Sequence, residues 1–476
     1  MSTVLGAVLT LYPSCEPRRM PHRSWIMFLI LLGSARASLP LPHGLEWRRI
    51  DDRQVGTTVR SLLHSSYVAT PEEDLRLDYS AGALQWMLCA PGAIDELRVA
   101  IAEPDDFSIV AFVCAVPCAF VLDGEERQSA VEVSLLCVRH DWRGKGLTRL
   151  LLAELRRRAA EKGIATAIYT AAEPRHRDQF AVLTTCSLHR PLRPFDLLRC
   201  GFWQPPDESY LPASPRRRRA LLRAAVSESG RLPSPAALLD EVGGGDGRAR
   251  PQPARRLRKM RARDAPWCRR LLMARAAHFA LSPAFSPEQF GHRFLGRGAH
   301  SLVLCAPRGR RGEKSRESGM PLDGLYGWIS FTLIPLRTAD GKRLIQAQLL
   351  GYALSANAGS DLGSDSSSSS SSSGNGSRDR GRTRRNVDGS TTLDEEEEVA
   401  LMELLRGALV RARRLGAHVF NAHGLAELAR APNVLRALGF VHGDAATSIC
   451  LDGLPGATNR DGMMLQPEAA CWLPVL

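Results

Sequence analysis

The strongest constraint on the fold is an order of elements that occurs twice in the chain. In the first copy, the run Val131–Val138 predicts a buried strand, because it alternates at first and then becomes wholly apolar. A glycine-containing basic loop over 139–146 follows. Leucines then recur at helical spacing from Leu147 to Leu155, and residues 164–169 predict the next strand. This order of elements predicts an α/β unit.

The second copy has the same order of elements. The runs Leu349–Ser355 and His418–Asn421 predict strands, and between them Asp394 can cap a helix that begins with four glutamates. A further helix is predicted over Leu425–Leu438, ended by Gly439. The apolar positions of the first of these helices have helical spacing: Leu401, Leu404, Leu405, Ala408, Ala412 and Leu415. We therefore expect two similar α/β units in one chain.

Composition divides the chain into ordered and low-complexity parts. Residues 109–122 form an apolar run broken at Pro117, which indicates a buried strand or hairpin. The poly-Ser stretch of mixed charge cannot bury enough apolar area to fold. The expected organisation is an N-terminal segment of uncertain kind (1–39), a first unit (40–203), a flexible basic linker (204–256), a second unit (257–466) with a disordered insertion (358–390), and a C-terminal extension (467–476).

The chain of 476 residues is basic, with a net charge of +13, so anionic partners must be considered. The positive charge is concentrated in low-complexity runs at 216–219, 248–263 and 378–385. Solvated linkers explain such runs, and attraction to ribosomes, acidic membranes or a polyanionic cofactor remains open. Since no recognisable nucleic-acid module accompanies them, we expect no specific nucleic-acid partner.

The cysteines and the N-terminal segment give information on the cellular compartment of the protein. No CxxC pair is present, so neither a zinc site nor a secreted disulfide framework is indicated. The N-terminus has the layout of a signal peptide: basic residues, then the apolar run Trp25–Leu32, then Ala35–Ala37. The apolar run is too short for a membrane span. A wrong first exon or a buried strand would also explain the segment. We expect a cytoplasmic protein and keep secretion as the alternative.

The loop after the first predicted strand carries the clearest chemistry. Its glycines let backbone N–H groups approach an anion, and the following helix adds a partial positive charge. Although glycine and lysine are also common in exposed turns, the flanking strand and helix favour a pyrophosphate site. The residues concerned are Arg143, Gly144, Lys145, Gly146, Leu147 and Thr148.

This loop resembles the CoA loop of the acetyltransferase-like (GNAT) superfamily, with Thr148 where Gly or Ala is usual, and 435–440 resembles its late helix and turn. Over roughly 40–466 the resemblance narrows to the glycylpeptide N-tetradecanoyltransferase (N-myristoyltransferase) family. Nine motifs occur in that family's order: Leu41–Trp47, Arg76–Ser80 with Trp86, Glu132–Val138, Tyr169–Ala171, His189–Arg190, His278–Pro283, Phe420–Ala422, Gly443–Asp444 and Gly462–Gln466.

The resemblance implies a fold and an activity. The fold would be two fused GNAT-like (acyl-CoA N-acyltransferase) halves forming one saddle-shaped mixed sheet with flanking helices. The N-terminal half would hold myristoyl-CoA, and the C-terminal half would build most of the peptide groove. The amine of an N-terminal glycine would attack the thioester directly. Neither a metal nor a permanently bound cofactor would be needed, because myristoyl-CoA is a co-substrate. The partners would be N-terminal-glycine peptides and nascent proteins, and we expect a monomer.

The resemblance also assigns residues. The backbone N–H groups of Leu135 and Leu136 would form an oxyanion hole, although an ordinary core strand fits these side chains equally well. Thr170 would lie near the attacking amine, and Gln466 matches the terminus whose carboxylate is the family's base. Cys137 and Val138 would join the CoA site with the loop 143–148. The positions matching peptide contacts are Tyr67, Asp74, His189 and Asp444.

Three departures from the family pattern bear on activity. An upstream Phe-Trp motif has no counterpart here. Ala172 and Ala445 replace glycines near the peptide site. The chain also continues past Gln466, so the tail is removed, or Leu476 or Glu468 delivers the carboxylate, or activity is impaired. Three alternatives to the family activity stay open: an N-acyltransferase of shorter acyl chains, a catalytically silent acyl-CoA- or peptide-binding relative, and a nucleic-acid-binding protein.

Overall fold

A computed structural model gives the structure of most of both predicted units. It describes residues 38–67, 75–104, 108–171, 180–200, 202, 255–305, 324–338, 341–355, 393, 395–453 and 465–471. The predicted signal-like segment, most of the basic linker, the Ser-rich insertion and Asp394 lie outside these residues. Within the described part of the chain, no helix is long and apolar enough to cross a membrane.

Strands and helices alternate along the chain. The strands are β1 (Glu46–Arg49), β2 (Leu75–Leu77), β3 (Arg98–Ala102), β4 (Ile109–Leu122), β5 (Gln128–Val138), β6 (Thr166–Ala171), β7 (Phe180–Pro191), β8 (Arg256–Lys259), β9 (Leu281–Pro283), β10 (Ala299–Cys305), β11 (Leu325–Thr338), β12 (Arg343–Leu354), β13 (Val419–His423) and β14 (Val441–Asp452). The helices are α1 (Asp52–Gln54), α2 (Arg60–Ser66), α3 (Ala81–Leu88), α4 (Leu147–Glu161), α5 (Pro194–Arg199), α6 (Ala265–Ala276), α7 (Pro287–Leu295), α8 (Glu395–Arg414), α9 (Glu427–Arg430) and α10 (Pro432–Ala437).

The strands form one large mixed sheet. Its order is β1-β3-β4-β5-β6-β14-β7-β13-β12-β11-β10-β8, with β2 added beside β11 and β9 beside β4. Two pairs of strands are parallel, β5 with β6 and β12 with β13, and each pair is joined by a crossover helix, α4 or α8. The predicted repetition of two α/β units in a mixed α/β fold is therefore confirmed.

The two halves exchange strands. The last strand of the first half, β7, pairs with β13 of the second half, and β14 pairs with β6 of the first half. β7 and β14 also pair antiparallel with each other. The short strands follow the same rule, since β2 joins β11 and β9 joins β4. Each half therefore completes its sheet with strands of the other half.

The crossover helices bury the faces that the sequence predicts. In α4, Leu147, Leu151 and Leu155 are almost fully buried against β3 and β4. The predicted apolar positions of α8 from Leu401 to Ala412 are fully buried against β11 and β12. β4 is one strand rather than a hairpin in itself. Pro117 lies between the segments of β4 that pair with β3 and β9, where a missing N–H breaks no bond on that edge.

The predicted helix over Leu425–Leu438 is wrong as a single element. α9 ends at Arg430 and α10 begins at Pro432, because proline lacks the N–H group that would continue the helix. Gly439, with φ of 74°, ends α10 as the sequence predicts.

The segment after Gln466 is part of the fold. Ala426 N donates to Pro467 O at 3.0 Å, and Cys471 N donates to Leu281 O at 3.1 Å. Ala470 is fully buried among residues of β4, β5, β6 and β7. This segment therefore closes the core on the side of the sheet where β9 lies.

A chain that ends after Gln466 should be less stable than the full chain by about 2–4 kcal/mol, because it loses the burial of Ala470 and Cys471 and their backbone bonds. Urea unfolding would measure the difference. A chain ending after Cys471 keeps every contact named above and is the matched control. Equal stability of the two shortened chains would contradict this role of the segment.

Candidate active site

The pairing of β4 with β5 contains a bulge at the predicted oxyanion-hole residues. Leu135 and Leu136 together oppose the single residue Val113. Leu135 has φ of 55°, a left-handed conformation that costs a non-glycine residue on the order of 1–3 kcal/mol. Its side chain is almost fully buried, so core packing holds the backbone in this conformation. A bulge leaves a backbone group out of the ladder and re-aims it.

The bulge lies where β5 and β6 separate. The two strands pair in parallel only from Ala130 to Glu132, against Thr166 to Ile168. Although both strands are described in full, no pairing joins them beyond this point. The rest of β5, ending in the buried residues Cys137 and Val138, therefore borders an open split in the sheet.

The predicted phosphate loop follows β5 at once. A short 3₁₀ turn at His140–Trp142 leads into Gly144 and Gly146, whose φ values of 78° and 80° favour glycine. No side chain caps the start of α4, and a Cβ at Gly146 would meet open space. The first turn of α4, with Leu147 and Thr148, therefore directs its N–H groups and positive dipole end toward the loop.

The two charged residues of the loop differ in their contacts. Arg143 donates from Nε to Val138 O at 3.2 Å and from Nη2 to Ser66 O at 2.6 Å, so it also fastens the loop to β5 and α2. Lys145 Nζ lies 4.1 Å from the ring centroid of Trp142, within the loop itself. Lys145 is therefore the better probe of charge, because Arg143 also has a structural role.

Thr170 lies on β6 across the split from the bulge. Ile168 pairs with Glu132, so Thr170 is level with Ser134, which directly precedes Leu135. On its other side Thr170 pairs with Ile449 of β14. The structure thus brings the predicted hydroxyl and the bulge to opposite sides of one opening.

A row of polar side chains continues on the same face toward the second half. His189 Nδ1 lies 2.9 Å from Asn421 Oδ1, and Asn421 Nδ2 donates to Gln346 Oε1 at 3.2 Å. The strand pairing places six polar side chains on this face, which we name the polar row: Ser187, His189, Gln346, Gln348, Asn421 and His423.

The polar row has unused hydrogen-bonding capacity. Ser187 Oγ, Gln346 Nε2, Gln348 Oε1 and His423 Nδ1 are buried and have no hydrogen-bond partner among the described residues. Burial, with the neighbouring His189, lowers the pKa of His423 to about 4, so its imidazole is neutral at neutral pH. Buried polar groups are normally paired, so this row is suited to hydrogen bonding with a polar ligand.

The other predicted peptide contacts have different outcomes. Tyr67 is buried, and its ring centroid lies 6.4 Å from that of Tyr79; burial raises the pKa of Tyr67 well above its usual value. Asp74 lies outside the described residues. Asp444 belongs to β14 at an irregularity beside Ser187, and its side chain lies outside the description. The peptide roles of these residues stay predictions.

Gln466 has no free carboxylate in this chain. Its carbonyl oxygen accepts from Ala469 N at 2.8 Å within a turn that continues into the buried tail. Leu465 bridges to Leu183 of β7, so two strands, β14 and β7, separate Gln466 from Thr170. The predicted role of Gln466 as the source of a terminal carboxylate therefore stays a prediction.

A cleft opens on the face of β4 and β5 that is covered by α3 and α7. Its walls include Trp86, Ser134 and Phe285. Glu132 and Arg293 lie in the cleft with 3.5 Å between Oε2 and Nη1. We name this space the β4–β5 cleft. Among the described residues, no group of three potential metal ligands is present.

The pair of Glu132 with Arg293 and most of the polar row are not predicted from the sequence. The signal was present as polar residues two apart inside apolar strands, Gln346 with Gln348 and Asn421 with His423. Glu132, inside an apolar strand, was a further signal. Strand exchange brings these positions together, and no local pattern encodes it.

Known proteins resemble this chain in sequence and fold. Residues 34–176 match the family described as "Myristoyl-CoA:protein N-myristoyltransferase, N-terminal domain". Glycylpeptide N-tetradecanoyltransferase 2 of Danio rerio is 27% identical over 259 residues, 54% of this chain and 46% of that protein. The Candida albicans glycylpeptide N-tetradecanoyltransferase is 28% identical over 267 residues, 55% of this chain and 52% of that protein. The matched stretches thus span about half the length of these relatives.

The similarity in fold extends further. A crystal structure of Saccharomyces cerevisiae N-myristoyltransferase with bound myristoyl-CoA superposes with a TM-score of 0.67 at 22% identity, covering 93% of this chain and 87% of that chain. The resemblance of the chain to the N-myristoyltransferase family is therefore confirmed, in sequence over residues 34–176 and in fold over most of its length.

Proposed function

We propose that this protein transfers myristate from myristoyl-CoA to the N-terminal glycine amine of protein substrates. The observation that carries the proposal is the bulge at Leu135 and Leu136, which borders the split between β5 and β6 next to a basic glycine loop. This arrangement suits a thioester whose carbonyl lies at the bulge and whose phosphates lie at the loop. The amine attacks the thioester directly, without a covalent enzyme intermediate.

Each half has a proposed role. Backbone N–H groups at the bulge stabilise the charge that develops on the thioester oxygen, worth about 3 kcal/mol per donor. Lys145, Arg143 and the start of α4 hold the CoA phosphates. Thr170 lies near the attacking amine. The polar row, with His189 and Asn421, binds the polar groups of the peptide. We also infer a cytoplasmic monomer, whose basic linkers attract ribosomes or acidic membranes.

The direct test is transfer of labelled myristate to a peptide that begins with Gly-x-x-x-Ser. The expected result is a labelled amide on the glycine peptide and none on a matched peptide that begins with acetylated glycine. Rates of transfer from acyl-CoAs of different chain length test the alternative of a shorter acyl group, because each buried methylene contributes about 0.8 kcal/mol to binding. Binding of myristoyl-CoA without turnover would instead identify a silent relative.

Lys145→Ala should weaken myristoyl-CoA binding about tenfold to a hundredfold, because a charge-assisted phosphate contact is lost. Isothermal titration calorimetry measures the dissociation constant. Lys162→Ala is the matched control, since this lysine lies at the opposite end of the same helix, 3.2 Å from Glu96. Equal affinity of both variants and the wild type would reject the phosphate site.

Leu136→Ala should retain most of kcat, because the proposed contribution of this residue is its backbone N–H. Leu136→Pro removes that group and should lower kcat about 10²–10³-fold. Circular dichroism and myristoyl-CoA binding would establish that the proline variant is folded. A similar kcat for the two variants would contradict the oxyanion hole.

Asn421→Ala should raise KM for the peptide about fivefold to thirtyfold and leave the dissociation constant of myristoyl-CoA unchanged, because it removes the hydrogen bonds of Asn421 to His189 and to Gln346. Steady-state kinetics with varied peptide measures KM. Thr184→Ala on β7, whose hydroxyl bonds to Ser448, is the matched control. An unchanged KM would remove the polar row from the peptide site.

A further inference from the structure

The proposed reaction needs a proton acceptor. An α-amino group has a pKa of about 8, so most of the substrate is ammonium at neutral pH and has no lone pair with which to attack. The carbonyl of Gln466 is committed to a peptide bond and a turn, as described above. A carboxylate near the bulge can take this role.

Glu132 meets the positional requirement. It is the last residue of β5 that pairs with β6, and its partner there is Ile168. Ser134 follows on the same face of β5 and leads into the bulge, so Glu132 lies roughly 7–10 Å along the strand from Leu135. Thr170 is two residues past Ile168 on the neighbouring strand. A glutamate side chain can reach the opening between these points.

The surroundings keep this carboxylate largely buried. Glu132 is 9% exposed and lines the β4–β5 cleft together with Ser134. Arg293 of α7 is its ion-pair partner at 3.5 Å, and Arg293 in turn lies 5.2 Å from the ring centroid of Phe285. The arginine thus favours the ionised, proton-accepting form of the carboxylate.

We propose that Glu132 accepts the proton of the substrate's N-terminal ammonium, and that Arg293 is the residue that positions it. This inference rests on the proposed function. The ammonium gives one proton to the Glu132 carboxylate, and the amine nitrogen then forms a bond to the thioester carbon. The C–S bond breaks and the CoA sulfur leaves with the electron pair. The nitrogen gives its second proton to that sulfur, which yields a neutral amide and the CoA thiol, and Glu132 then releases the first proton to solvent.

The test compares Glu132→Gln with Glu427→Gln in the full-length protein. Glu427 is another buried glutamate, 2% exposed against 9% for Glu132. It lies on α9 outside the proposed site, with its Oε1 2.6 Å from Arg275 Nε. At neutral pH the Glu132→Gln variant should lose about 10²–10⁴-fold in kcat, while its dissociation constant for myristoyl-CoA stays at the wild-type value. The Glu427→Gln variant should keep its kcat.

The pH profile gives a second readout. In the wild type, kcat should fall on the acidic side as Glu132 becomes protonated. The ionisable groups near it are Arg293 and His292 of α7 and the thiols of Cys114 and Cys118 on β4. Arg293→Met removes the positive charge that favours the ionised form of Glu132. The fall of kcat on the acidic side should therefore begin at a higher pH. The deficit of Glu132→Gln should shrink above pH of about 8, where the free amine forms in solution.

A substrate that needs no deprotonation separates a chemical role from a structural one. A peptide that begins with aminooxyacetyl in place of glycine presents an amine that is already neutral. Glu132→Gln should acylate it at nearly the wild-type rate. An undiminished kcat with the glycyl peptide, or an equal loss with both peptides, would overturn the role of Glu132. Absence of transfer by the wild type itself would instead overturn the proposed function.

Discussion

The antiparallel pairing of β7 with β14 is the interaction on which the rest of the molecule depends. It joins two α/β units into one sheet, because each of these strands also completes the sheet of the other unit. Through this pairing, β6 of the first half and β13 of the second half become near neighbours on a continuous surface. A site that spans both halves then needs no separate interface between domains.

The split between β5 and β6 is the second constraint. Two parallel strands that part after a few residue pairs expose backbone groups inside a sheet, where such groups are normally paired. The bulge at Leu135 and Leu136 lies at this place, and core packing around Leu135 supports its left-handed conformation. The same strand ends in the glycine loop and continues into α4. One segment of chain thus supplies both the proposed oxyanion donors and the proposed phosphate contacts.

The sequence was sufficient for the local elements of this arrangement. Apolar periodicity predicts α4 and α8 with their buried faces, and the glycines at 144 and 146 do adopt left-handed conformations. Pro432 is also a sequence signal for the break between α9 and α10. The apolar residues on both sides of it have helical spacing, however, and this spacing predicts a single helix. The polar row and the Glu132–Arg293 pair could not be predicted from the sequence, because they depend on how segments far apart in the chain pack together.

Strand exchange also sets the order in which the protein can be made. The open edge of β6 finds its partner only when β14, near the other end of the chain, has left the ribosome. At about 5–20 residues per second, this wait is on the order of tens of seconds. During synthesis the nascent first half therefore presents an unpaired, largely apolar strand edge, which is the kind of surface that chaperones bind and that drives aggregation.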